Sequence, residues 1–169
     1  MEVYEAMEKR YSVRDYTDQP VEKEKLERVL NAARIAPSAG NRQDWKFVVV
    51  TDTELRKEMA AAADQKLLAK APVVIAGVAT NPERQMRCKV LSGTVDLAIA
   101  IDHIALAATA EGLGTCWIGS FDQDACCNLM EIPAGAKIIE LLVLGYPADA
   151  PKEKSRKTMD EVICYERFS

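Results

Sequence analysis

The sequence is poor in most of the residues from which side-chain catalysis is built. It has one histidine in 169 residues. That residue, His103, stands among Ile, Ala and Leu and reads as a satisfied core histidine. No nucleophile–histidine–acid constellation is apparent, and no His, Cys and Asp cluster has metal-ligand spacing. The five cysteines, Cys88, Cys116, Cys126, Cys127 and Cys164, are odd in number and contain no CxxC pair. A disulfide framework and a structural zinc site are therefore not expected, and the thiols read as buried or half-buried in a reducing cytosol. Neither GxGxxG after a strand nor GxxxxGK[ST] occurs, so the common nucleotide loops are missing. Gly and Pro number only 8 and 7, which excludes fibrous and low-complexity classes. Aromatic residues make up 6%, so the core must be mainly aliphatic. No apolar run approaches the ~18 residues of a membrane span. The opening residues, MEVYEAMEKRYSVRDY, lack an apolar signal core, so a cytoplasmic protein is expected. A net charge of −4 and a pI near 5.2 speak against general nucleic-acid binding. An enzyme of this composition would draw its hard chemistry from an organic cofactor.

What is present is an ordinary globular composition, 49% hydrophobic and 28% charged, long enough for one domain with its own core. Residues 2–9 read as a short helix. In 22–36, Leu26, Val29, Leu30 and Ala33 share one helical face, and Pro37 stops it. Residues 46–52 and 72–80 read as buried strands. Asp52 caps a helix to about residue 65. Residues 92–112 form the longest helical stretch, apolar around most of its circumference, ended by Gly112 and Gly114. A strand over 115–119, a helix from Asp122 to Met130 and a strand over 137–147 follow. From Ala148 the chain is Pro-, Lys- and Glu-rich and should be extended, with Thr158 and Glu161 forming a capping box. Strands alternating with helices give an α/β or α+β fold.

Five segments carry possible chemistry. In Arg10-Tyr11-Ser12-Val13-Arg14 an extended backbone sends Arg10, Ser12 and Arg14 to one side, an arrangement suited to a phosphate. Ala36–Trp45 contains Pro37, Ser38, Ala39, Asn41 and Gln43: small residues that let backbone approach a flat ligand, and amides that match a heteroaromatic edge. On its residues alone it reads first as a turn rich in turn-formers, with Trp45 as a core anchor. Gly112–Asp122 ends a strand in Ile118-Gly119-Ser120, where backbone N–H groups are free to face a ligand. Lys154-Ser155-Arg156-Lys157 is a second cationic cluster in the tail. A redox role for cysteine is not expected, because Cys116 sits in an apolar strand and Cys88 has no identified partner.

The order and spacing of these segments strongly resemble the FMN-dependent nitroreductase family over nearly the whole chain. Arg10–Arg14 matches its R-x-S-x-R opening. Ala32–Ser38 resembles its second block, and Asn41-Arg42-Gln43-Asp44-Trp45 its N-x-Q-P-W segment, with Asp44 where proline is usual. Gly112–Asp122 matches its G-L-G-T-C-W-I-G-x-F-D block, the most specific of the set. Lys154-Ser155-Arg156 resembles its C-terminal basic motif.

The resemblance implies a nitroreductase-like fold over residues 1–169: a mixed four- to five-stranded sheet flanked by helices, in an intertwined homodimer whose 148–169 arm packs on the second chain. Two FMN sites would lie between the chains. Arg10, Tyr11, Ser12, Arg14, Lys154 and Arg156 would hold the phosphate and ribityl end. Pro37, Ser38, Ala39, Asn41 and Gln43 would approach the ring from the other chain. Ile118, Gly119 and Ser120 would face it, with the Gly119 N–H toward flavin N5. Lys66 is the candidate cation for the N1/O2 edge, or else a surface helix lysine; an asparagine sometimes found three residues earlier is Ala63 here. The implied reaction is ping-pong hydride transfer from NADH or NADPH, through N5, to nitroaromatic, quinone or similar acceptors, with no side-chain acid or base required. Two alternatives stay open: another flavin reaction such as dehalogenation or flavin cleavage, and a non-enzymatic flavin carrier or sensor. Between Ala79 and Asp96 there is little room for a lid helix, which implies an open pocket with broad acceptor tolerance.

Overall fold

A computed structural model describes residues 1–168. Four strands, β1 (Trp45–Val50), β2 (Val73–Ala79), β3 (Gly114–Ile118) and β4 (Lys137–Gly145), pair in the order β1-β2-β4-β3. All three pairings are antiparallel. A parallel contribution comes from a single bridge, Ser12 to Thr115. The helices are α1 (Val3–Lys9), α2 (Lys23–Arg34), α3 (Thr53–Ala62), α4 (Leu67–Lys70), α5 (Ser92–Ala110), α6 (Gln123–Leu129) and α7 (Met159–Val162).

Strand alternation sorts the core into two layers. Val74, Ala76, Val78, Leu141 and Val143 face one way, toward Met59 of α3, Leu68 of α4 and Cys126 of α6. Val73, Ile75, Leu142 and Leu144 face the other, toward Val29 and Ala33 of α2 and Ala100, Ile101 and Ile104 of α5. Both central strands are therefore covered on two faces, which is why β2 is apolar at every position. Two close approaches seat the sheet edges. A Cβ on Gly114 would overlap the Val13 side chain, and one on Gly145 would overlap Pro72.

Helix ends follow the expected chemistry. The Asp52 and Asp122 side chains each accept from the backbone N–H three residues on, at 2.8 Å. Thr158 and Glu161 form the capping box. α3 ends at Ala62, earlier than the apolar pattern implies, because Asp64 takes a left-handed φ of 48° and turns the chain into α4. Helix α5 corrects the expectation drawn from run length: its 19 residues are long and apolar enough, by length and composition, to cross a membrane. Leu97, Ala100, Ile101 and Ile104 are fully buried between α2 and the sheet, as in the core helix of a globular protein. His103 on this helix is half-buried and makes no side-chain hydrogen bond among the described residues, so it is not the satisfied core histidine expected. Cys88 and Cys164 are exposed, against expectation, because both lie in loops outside the layers.

Candidate functional site

Val13 is fully buried at the foot of β3, and its N–H donates to the Thr115 carbonyl at 2.9 Å. That anchor turns the residues on either side outward. Arg10, Tyr11, Ser12 and Arg14 thus line a cleft of about 310 Å³, closed on its far wall by Asp149 to Arg156 of the extended tail. The tail is laced back onto this segment. Ala148 N–H donates to Asp15 O at 2.9 Å, and the Tyr11 hydroxyl donates to Asp149 O at 2.7 Å. Lys154 donates to the Met7 and Glu8 carbonyls at the C-terminal end of α1, where a cation meets the negative end of the helix. Burial, with Arg10 and Arg156 close by, holds its ammonium pKa below the usual lysine value. Arg10, Arg14, Lys152, Lys154 and Arg156 outnumber Asp149 and Glu153 and make this cleft net positive in a chain whose net charge is −4.

Arg14 also lines a second cleft, of about 440 Å³. One wall is the end of β3, Cys116 to Ile118, running into Gly119 and Ser120; the other is Gln65, Lys66, Leu67 and Lys70. Nothing lies within 4 Å of where a Cβ on Gly119 would sit, so its backbone faces open space. The two walls touch where Gln65 Nε2 donates to Ser120 O at 3.4 Å. Lys66 precedes α4 and is exposed on the cleft, so it is neither a helix-face lysine nor buried. Burial pushes the Cys116 thiol pKa up, with Arg14 and a Ser12 hydrogen bond opposing, which keeps it protonated.

Arg56 positions the lysine-bearing wall. It is 7% exposed and donates to Ala69 O, Ala71 O and Thr53 Oγ1, so it ties α3 to the end of α4. Sequence reasoning missed this residue and α4 itself, whose four residues are too few for a periodic signal. It also missed Asp149. One oxygen of that carboxylate is buried without a partner among the described residues, beside the arginine cluster, and the other accepts the Arg14 N–H at 3.5 Å.

The loop carrying Pro37, Ser38, Ala39, Asn41 and Gln43 lines neither cleft. It is held at the opposite end of α2, with Ala39 N–H donating to Asp96 of α5 at 2.9 Å. Within one chain the structure thus brings together Arg10, Tyr11, Ser12, Arg14, Lys66, Ile118, Gly119, Ser120, Lys154 and Arg156, and leaves the amide loop apart. Among the described residues there is no cluster of His, Cys, Asp and Glu able to hold a metal ion.

Known proteins share this pattern. The sequence profile of the nitroreductase family matches residues 7–73 and 63–146. A putative NADH dehydrogenase/NAD(P)H nitroreductase of Archaeoglobus fulgidus is 34% identical over 145 residues, covering 83% of this chain and 82% of that protein. An FMN reductase [NAD(P)H] of Bacillus subtilis is 31% identical over 185 residues, covering 99% of this chain and 74% of that protein. The crystal structure of a nitroreductase family protein from Clostridium difficile superposes with a TM-score of 0.89 at 32% identity, covering 99% of this chain and 100% of that one. Sequence and fold agree over almost the full length, and this chain belongs to the nitroreductase family.

Proposed function

We propose that this protein is an FMN-dependent NAD(P)H oxidoreductase that reduces nitroaromatics, quinones or similar electron-poor acceptors. The observation that carries the reading is the pair of clefts joined at Arg14: one cationic and narrow, the other wider and walled by exposed backbone and lysines. The residues fit the cofactor. The cluster of cations suits a phosphate dianion, and the Asp149 oxygen left without a partner among the described residues suits a sugar-alcohol hydroxyl. Bound FMN supplies hydride acceptance and donation at one ring atom, so that donor and acceptor use the same face in turn.

The chain's own residues bind and orient. Arg10, Arg14 and Arg156, with Lys154, hold the phosphate end, and Ser12 contributes a hydroxyl. Gly119 has open space on its Cβ side, so the ring can approach its backbone closely, with its N–H toward the ring edge. Lys66 supplies positive charge where a reduced ring would carry negative charge. The reaction requires no side-chain acid or base, and acceptor protons can come from solvent, to which the cleft is open.

The working particle is a homodimer. On α5, Val95, Ala98, Ile99 and Leu106 stay half-exposed though apolar, and Val3, Tyr4 and Met7 of α1 are exposed. Met159, Val162, Ile163, Tyr165 and Phe168 extend this apolar surface into the tail. A second copy would cover them, and would bring its Ser38–Gln43 loop to a site that lacks those amides within one chain. Between Ala79 and Ser92 the chain forms only a tight hairpin with a Gln85–Leu91 bridge, so the pocket stays open to bulky acceptors.

The test is the visible spectrum of the purified protein with added FMN, before and after NADH or NADPH. Retained flavin that bleaches with donor and recovers with a quinone is expected. Protein that fails to retain FMN sinks the reading, and bleaching too slow for turnover with both donors favours a flavin carrier. Similar rates with small and bulky quinones are expected of the open pocket.

A further inference from the structure

The loop between α2 and β1 stores backbone strain. Gly40, Asn41 and Gln43 have φ of 62°, 52° and 55°. Left-handed backbone is routine for glycine and tolerated by asparagine, but uncommon for glutamine. Such a conformation persists only where its surroundings over-determine it. Three attachments do so here. Ser38 Oγ accepts the Gln43 N–H at 3.0 Å, closing the loop on itself. Beneath it, Asp96 is a 5%-exposed carboxylate on the largely apolar α5, and its Oδ1 accepts the Ala39 N–H at 2.9 Å. At the far end, Asp44 O accepts the Thr80 N–H at 3.1 Å, and Asp44 Oδ2 meets Arg84 Nη1 at 3.1 Å. The side chains of that ion pair are only 29% and 26% exposed. Arg84 is itself rooted, because its carbonyl accepts the N–H of Ser92 at 2.9 Å and its hydroxyl at 3.3 Å, at the start of α5. The product of this bracing is a pair of exposed amides, Gln43 Nε2 donating to Asn41 Oδ1 at 3.2 Å.

We propose that Asp96 and the Asp44–Arg84 ion pair are positioning residues that hold Asn41 and Gln43 in left-handed backbone, so that their amides meet the heteroaromatic ring of the flavin as one preformed unit. The inference rests on the reading above that this loop faces the ring. Neither brace touches the cofactor. Both act by sparing the loop an ordering step when the ring arrives.

Two measurements test it on the full-length protein: FMN affinity of the apoprotein by fluorescence quenching, and amide hydrogen exchange at residues 39–43 without FMN. In Arg84→Gln and Asp44→Asn, exchange at Ala39 and Gln43 should quicken and FMN should bind about five-fold more weakly, with thermal stability little changed. The charge-swapped double variant, Asp44→Arg with Arg84→Asp, should restore both. Asp96→Asn keeps the accepting oxygen and should behave as the parent, while Asp96→Ala should lose about ten-fold in FMN affinity. If Asp96→Ala does not fold, the Arg84 variants decide. Unchanged exchange and affinity in Arg84→Gln overturns the proposal, as does faster exchange with unchanged FMN affinity. A parent protein that binds no FMN sinks the functional reading and the positioning role together, and exchange then reports the brace alone.

Discussion

Glu140 offers the sharpest test of how the core is built. It lies on β4 opposite Gly77, beside the register shift that separates the Gly77 and Val78 pairings. Alternation puts it on the face of Leu142 and Leu144, under α5. It is 8% exposed, and its Oε1 is buried without a hydrogen-bond partner among the described residues. Burial alone raises its carboxyl from 4.5 to about 7. The native state therefore keeps a proton that the unfolded chain releases above about 4.5. Between pH 4.5 and 7 the native state binds more protons, so stability falls as pH rises, and levels off above 7. At about 1.4 kcal/mol per pH unit, moving from 4.5 to about 7 amounts to roughly 3 kcal/mol at pH 8. The carboxylates held low by partners, Glu5, Glu22, Glu111 and Glu161, titrate below this window. Glu140→Gln keeps the shape and removes the titration. Urea unfolding of both proteins at one concentration, from pH 4 to 8, should give equal stabilities near pH 4 and a variant more stable by about 2–3 kcal/mol at pH 8. A difference that stays flat from pH 5 to 7, or a variant less stable at pH 8, would refute the reasoning.

Other outcomes follow from the packing and the clefts. Arg56→Met strands the buried Ala71 carbonyl and frees the half-buried Ala69 carbonyl, and should lower unfolding free energy by about 1–3 kcal/mol, read as a shifted urea midpoint with unchanged slope. Gly114→Ala pushes a methyl into Val13 and should cost about 1–3 kcal/mol, partly recovered by adding Val13→Ala in a thermal-melt cycle. Arg10→Gln with Arg156→Gln should weaken FMN binding at least ten-fold and flatten its dependence on salt; an unchanged affinity would remove the phosphate from this cleft. Ile99→Glu, on the half-exposed face of α5, should convert a dimer to monomer in gel filtration, and a protein already monomeric when loaded with flavin would refute the dimer.

The local pattern of this sequence settles a good deal. Short apolar, β-branched-rich runs set all four strands to within about two residues, because each must offer apolar side chains to one or both faces of a sheet. Asp52, Asp122 and the Thr158–Glu161 box mark helix starts, because the bonds involved span only three residues. Arg10, Ser12, Arg14, Gly119 and Arg156 stand out by residue type and spacing, and the fold gathers them into adjoining clefts. Apart from the short α4 and the Arg56 that braces it, what escaped depends on partners far apart in the chain. Arg84 finds Asp44 across 40 residues, Asp96 finds Ala39 across 57, and Tyr11 finds Asp149 across 138. A charged residue in such a pair looks, in sequence, like any solvated one. That the amide loop lies away from the clefts of its own chain is likewise a property of the packed layers alone. Local periodicity fixes which elements form; only their mutual packing decides which side chains meet.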